Sequence, residues 1–178
     1  MPKRLREREL FSSRIFTIKE IDLLLDNGKE VTYEISDKGH SVMVVPLIDD
    51  ATILLVREYH AGINEYQTGL CKGFIEEGQT PEEAANRELQ EEVGYKAGKL
   101  KRLGVFSVNP GYSTHKTYAF LAQDLQESKL QGDEEEELQI VRYSLERFED
   151  LIDQKQLTEA RMIASLYLTR RILSLSRG

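Results

Sequence analysis

The sequence predicts an α+β protein. Three features carry that reading: β-branched apolar runs punctuated by turns in the first third, one strongly capped helix in the middle, and further strands leading to helical spacing near the end. Residues 11–25 read as a strand. Asp26-Asn27-Gly28-Lys29 turns it into a second strand at residues 30–35, because Asn-Gly tolerates the positive φ of a tight hairpin. Residues 41–48 and 52–56, separated by Asp49-Asp50, suit two strands buried in a sheet. At Thr80 the pattern becomes helical. Thr80 is a capping residue, Pro81 sits where a missing N–H costs nothing, Glu83 completes a Thr-x-x-Glu capping box, and Gly94 stops the helix. Residues 100–108 and 116–122 read as strands joined through Asn109-Pro110-Gly111. A strand at residues 138–143 and a helix from near Leu145 follow. Thr158 is placed to cap a last helix carrying Ile163, Leu166, Tyr167 and Ile172. There is no internal repeat or long linker, so one compact catalytic unit with a small appended subdomain is expected.

Composition narrows the function classes. The 178 residues include no apolar run near the roughly 18 needed to span a membrane, and the basic stretch from Met1 to Arg8 is not followed by an apolar segment. A cytoplasmic protein with no membrane partner is expected. The single cysteine, Cys71, makes no internal disulfide and reads as a buried, inert thiol. A formal net charge of -7 argues against a nucleic-acid surface, which relies on many lysine and arginine contacts to phosphate. An acidic protein acting on phosphates needs local arginines or bound divalent cations to reverse the field at its site. His40, His60 and His115 follow no zinc-ligand spacing and read as structural.

The carboxylates gather on the capped helix. Glu88, Glu91 and Glu92 stand at i, i+3 and i+4 and reach one side, while Ala84, Ala85, Leu89 and Val93 form the apolar stripe. Left alone the three would repel. Mg²⁺ supplies a compensating charge, since it prefers carboxylate oxygens and keeps waters for substrate phosphates. A solvated acidic helix face is the other reading of the triplet alone.

The segment from Gly73 to Tyr95 narrows the choice. It runs Gly73-Phe74-Ile75-Glu76-Glu77-Gly78, then the capped helix, then Arg87-Glu88-Leu89-Gln90-Glu91-Glu92-Val93-Gly94-Tyr95. This resembles the box of the Nudix hydrolases: a glycine, five residues, a glutamate, seven residues, then Arg-Glu-aliphatic-x-Glu-Glu-x-Gly and a hydrophobic residue. Two positions depart from it, Gln79 in place of the first glutamate and Tyr95 in place of an aliphatic residue. The resemblance implies an α/β/α sandwich with a mixed β-sheet and an N-terminal antiparallel β subdomain. Residues 1–40 would form the N-terminal β segment and mediate a homodimer, and residues 41–178 the catalytic domain. It implies Mg²⁺ as cofactor, with Mn²⁺ as a substitute, held by Glu88, Glu91, Glu92 and the main-chain carbonyl of Lys72. Glu91 and Glu92 carry catalysis, and Arg87 orients a neighbouring carboxylate.

The rest of the site is implied by the branch of that family that acts on ADP-ribose and related ADP compounds, which the chain resembles from about residue 11 to residue 172. The general base there comes from an acidic loop beyond the box. That places it at Glu134 or Glu136 within Gly132-Asp133-Glu134-Glu135-Glu136-Glu137, a run that also suits a solvated loop. Arg57 and Glu58 are candidate substrate contacts, surface ion pairing being the alternative. Pro110 and Tyr112 resemble a proline-bearing loop and a base-stacking tyrosine, and equally suit a plain turn. The expected substrate is a small ADP-containing molecule such as ADP-ribose, a diadenosine polyphosphate or NADH, cut at its pyrophosphate to release AMP. A nucleoside triphosphate pyrophosphatase and a non-cutting nucleotide-binding module remain the alternatives.

Overall fold

The first three strands owe their pairing to two short turns. In the computed structural model, which describes residues 1–132 and 138–175, β1 (Lys3–Ser12), β2 (Thr17–Leu24) and β3 (Glu30–Asp37) form an antiparallel sheet in that order. The single strand expected over residues 11–25 is therefore two. Ser13 breaks the run, because its N–H and its hydroxyl both donate to the Phe16 carbonyl, at 3.0 and 2.9 Å, and close a turn. The basic start is strand as well. Its charges are matched across the sheet, where Arg8 pairs with Glu20 and Lys19 bridges Glu7 and Asp37 at 3.0 and 2.5 Å.

Two compact units make up the chain: residues 1–40 with 106–117, and residues 41–105 with 118–178. The first contains the β1-β2-β3 sheet and the 109–115 loop. Within it, Thr114 Oγ1 donates to Asp37 at 2.8 Å and the Ser36 N–H donates to the Tyr112 carbonyl at 2.7 Å.

The second unit holds β4 (Ser41–Pro46), β5 (Thr52–His60), β6 (Glu65–Gly69), β7 (Cys71–Phe74), α1 (Pro81–Glu88), β10 (Gln139–Ser144), α2 (Glu149–Asp153), α3 (Ala160–Leu175) and most of β8 (Tyr95–Ser107) and β9 (Lys116–Glu127). Its strands make two sheets, β7-β4-β9-β8 and β10-β5-β6. All six residues of β4 are buried, so the strand is covered on both faces. Alternation divides the core accordingly. Val42 and Val44 join Leu54, Val56, Cys71, Ala84, Ala85, Leu89 and Val93 under α1, whereas Met43 and Val45 join Leu55, Phe148, Leu151, Met162 and Leu166 under α2 and α3. The result is helix, strand and helix layers, the α/β/α arrangement expected. Burial of Leu89 and Val93 fixes α1 to the sheet with about 1.5–3 kcal/mol each.

The helix start follows the sequence closely. Thr80 Oγ1 accepts the Glu83 N–H at 3.2 Å, and the Glu83 carboxylate accepts the Thr80 N–H at 2.8 Å. At the other end the chain departs from expectation. Residues 89–93 widen into a π-helical turn, stopped by Gly94 in the left-handed region at φ 83° with its N–H on the Leu89 carbonyl. Thr158 is not the cap expected of it. Its hydroxyl donates to Gln67 at 2.7 Å, and the Glu159 carboxylate accepts the Arg161 N–H at 2.8 Å at the start of α3. Among the described residues no helix is long and apolar enough to cross a membrane.

Candidate active site

Glu88 ends α1 and Glu91 and Glu92 lie on the π-helical turn, so the wider turn separates partners that a regular helix would keep together. Glu88 and Glu92 are buried at 6% and 5% exposure, unlike a solvated acidic face. Arg87 compensates for much of the charge of Glu88 and Glu91. One terminal nitrogen donates to Glu91 at 2.6 Å; the other meets Glu88 at 2.8 Å and the Phe74 carbonyl at 2.9 Å. Burial works against the Arg87 charge, but Glu88 and Glu91 outweigh it and hold the guanidinium above its ordinary range.

Glu92 turns instead to β7, the edge strand of its sheet. Lys72 lies opposite Met43, and its N–H points away from β4 to the Glu92 carboxylate oxygens at 3.3 and 3.4 Å. In an extended strand the carbonyl of a residue faces the same side as its N–H, so the Lys72 carbonyl also opens toward that edge. Gly73 brings the strand close to Glu88, for a β-carbon there would overlap the Glu88 carboxylate. The resulting donor set is entirely oxygen, the chemistry Mg²⁺ and Mn²⁺ take. Among the described residues no three His, Cys, Asp or Glu side chains converge on one point: Glu88 and Glu91 are drawn to Arg87, and Glu92 to Lys72. Mg²⁺ asks for less, since one or two carboxylates with waters and phosphate oxygens complete its octahedron. The residues present fit it.

Neighbouring strands supply further polar groups. Arg57 lies over the Tyr66 ring at 5.6 Å from its centroid, and Tyr66 meets Tyr59 at 5.4 Å. Glu58 projects to the other face of β5, where the Lys72 ammonium pairs with it and His60 Nε2 lies 3.4 Å away. The Lys72 side chain, Tyr66 and the His60 contact were not anticipated from the sequence. A lysine between the apolar Leu70-Cys71 and Gly73 was the available signal for the first. Cys71 is fully buried. Burial, then the charges of Glu92 and Glu88, push its thiol well above the ordinary range, as befits an inert residue.

Gln79 spends its side chain locally. Its amide oxygen accepts the Glu76 N–H at 3.2 Å, while Arg87 Nε is buried without a hydrogen-bond partner among the described residues. Pro110 and the exposed Tyr112 belong to the first compact unit. Glu134 and Glu136 lie outside the described residues.

Comparison with known proteins gives a consistent result. A model of the NUDIX domain matches residues 37–166. The chain is 41% identical over 163 residues to the ADP compounds hydrolase NudE of Escherichia coli (strain K12), covering 90% of this chain and 87% of that protein. It is 29% identical over 161 residues to the ADP-ribose pyrophosphatase of Bacillus subtilis (strain 168), covering 89% and 87%. A crystal structure of an ADP compounds hydrolase superposes with a TM-score of 0.89 at 39% identity, covering 98% of this chain and 95% of that one.

The close approach of Gly73 to Glu88 is directly testable. Gly73→Ala should cost roughly 1–3 kcal/mol, the range for overpacking a filled site, measured by chemical denaturation. The same substitution should cost little in a Glu88→Ala background, where the obstructing carboxylate is gone. Equal losses in both backgrounds would place the strain elsewhere.

Proposed function

Because the chain belongs to the Nudix family, we propose that it hydrolyses the pyrophosphate bond of small ADP-containing compounds, with ADP-ribose the leading substrate, and releases AMP. The observation that carries this reading is the buried Glu88-Glu92 pair set against the open edge of β7 and neutralised in part by Arg87. The names of the relatives in Escherichia coli and Bacillus subtilis support the substrate class.

In this reading Glu88, Glu91, Glu92 and the Lys72 carbonyl would hold Mg²⁺, or Mn²⁺ in its place. Held there, the ion would supply charge to offset the phosphates and would lower the pKa of a coordinated water. Arg87 positions the Glu88 and Glu91 carboxylates through its two terminal nitrogens. Arg57, with Glu58, contacts the substrate from the end of β5, and the family resemblance adds Pro110 and Tyr112 as substrate contacts. Glu134 or Glu136 takes the proton of the attacking water. The water oxygen bonds to one phosphorus as the P–O bond to the bridging oxygen breaks, and with ADP-ribose the products are AMP and ribose 5-phosphate. Residues 41–178 would form the catalytic domain and the segment of residues 1–40 would dimerise. Leu5, Leu10 and Phe11, left exposed along the edge strand β1, support a second copy as partner. A cytoplasmic location completes the reading, with neither nucleic acid nor membrane as partner.

Two measurements check it. Incubation of ADP-ribose with Mg²⁺ should yield AMP, and Glu92→Gln should slow this roughly 100-fold or more, the upper end of losses seen even for outer-shell partners of metal sites. A panel of nucleotides in which triphosphates are cut and ADP-ribose is not would favour the triphosphate pyrophosphatase instead. In sedimentation at micromolar concentration the 20.5 kDa chain should run at twice that mass, and a monomer would overturn the dimer.

A further inference from the structure

Lys72 does two things from one position. Its backbone N–H meets Glu92 on the carboxylate side, and its ammonium crosses to Glu58 at the end of β5, next to Arg57. It thus links the two strands that carry the groups assigned above to the metal and to the substrate. A lysine half withdrawn from water, its side chain 25% exposed, requires a counterion, and Glu58, itself 20% exposed, supplies one. Glu58 in turn has a second basic neighbour in His60 at 3.4 Å, so the carboxylate keeps a partner if the ammonium leaves it. Arg87, by contrast, is committed to Glu88, Glu91 and the Phe74 carbonyl. An anionic substrate arriving among Glu58, Glu76, Glu88, Glu91 and Glu92 needs cationic side chains able to change partner. The ammonium of Lys72, on its flexible four-carbon stem and held by a carboxylate it can exchange, meets that requirement.

We propose that the Lys72 ammonium binds a phosphate of the substrate, with Glu58 as its counterion in the absence of substrate. The proposal rests on the assignment of this site to a phosphate-containing substrate. It makes Lys72 a substrate-binding residue through its side chain, in addition to the carbonyl assigned to the metal. Glu58 is then a competitor that tunes how tightly phosphate is held.

The test combines binding and turnover in the full chain. Inorganic pyrophosphate, titrated calorimetrically without metal, should bind Lys72→Met roughly tenfold or more weakly than the wild type, as expected for loss of one charge-assisted hydrogen bond. Lys72→Arg should keep most of the affinity. Glu58→Gln should bind pyrophosphate more tightly, an effect that a purely structural ion pair would not produce. With ADP-ribose and Mg²⁺, Lys72→Met should raise KM by a similar factor. Thermal melting of each variant separates these effects from misfolding. Unchanged pyrophosphate affinity in a folded Lys72→Met protein would overturn the proposal, even if the wild type cuts ADP-ribose. Failure of the wild type to cut ADP-ribose would overturn the substrate assignment, and the pyrophosphate series would still decide the role of Lys72.

Discussion

The site depends on a single electrostatic constraint, the holding of three carboxylates within five residues on a largely buried turn. Coulomb repulsion at such spacing disfavours the folded state unless opposite charge is supplied nearby. Arg87 supplies it from inside the same helix, touching Glu88 and Glu91 at once. Removal of either member of such a buried arrangement costs more than the pair itself contributes, because the remaining charge is left desolvated. Arg87 therefore serves the fold as well as the site. Its third contact, to the Phe74 carbonyl, ties the helix to the edge strand that faces the carboxylates.

Several features of the second unit position that turn. The Thr80-Glu83 capping box fixes where α1 begins, Leu89 and Val93 press it onto the sheet, and the π-helical turn with Gly94 at its end gives Glu88 and Glu92 different partners. Edge placement of β7 is equally important. A central strand would have spent the Lys72 N–H on a ladder hydrogen bond, whereas here it reaches Glu92. Gly73 lets strand and helix approach without a β-carbon between them. The fold thus brings two buried carboxylates, a backbone edge and the Lys72 ammonium into one region.

Much of this could be read from the residues. The helix, its cap and its stop are local signals, and Thr80, Pro81, Glu83 and Gly94 carried them. The buried strands β4 and β5 are legible as β-branched apolar runs separated by Asp49-Asp50. The misses were of another kind. The strand expected over residues 11–25 is split by a serine turn, β6 and β7 were absent from the reading because their short, glycine-flanked stretches lack a clear period, and Thr158 prefers Gln67, 91 residues away, to the helix end beside it. The π-helical turn is decided by packing and has no sequence period of its own. At the site, the grouping of Glu88, Glu91 and Glu92 is legible from spacing and Arg87 enters through the family resemblance, but the Lys72–Glu58 contact joins β7 to β5, strands of different sheets, which no local pattern encodes. Gln79, one of the two departures in the box, spends its oxygen on the Glu76 N–H within the 76–79 turn, and among the described residues Arg87 Nε has no hydrogen-bond partner, only Glu76 at 3.8 Å.

The central claim is that these carboxylates and the β7 edge form one divalent-cation site. Electron paramagnetic resonance of Mn²⁺ titrated into the full chain tests it most directly, since it reads bound metal without reference to any substrate. The account predicts that the wild type takes up Mn²⁺ displaceable by Mg²⁺, and that Glu88→Gln and Glu92→Gln, both still folded, each weaken that binding roughly tenfold or more. Wild-type binding that persists unchanged in both variants would contradict it.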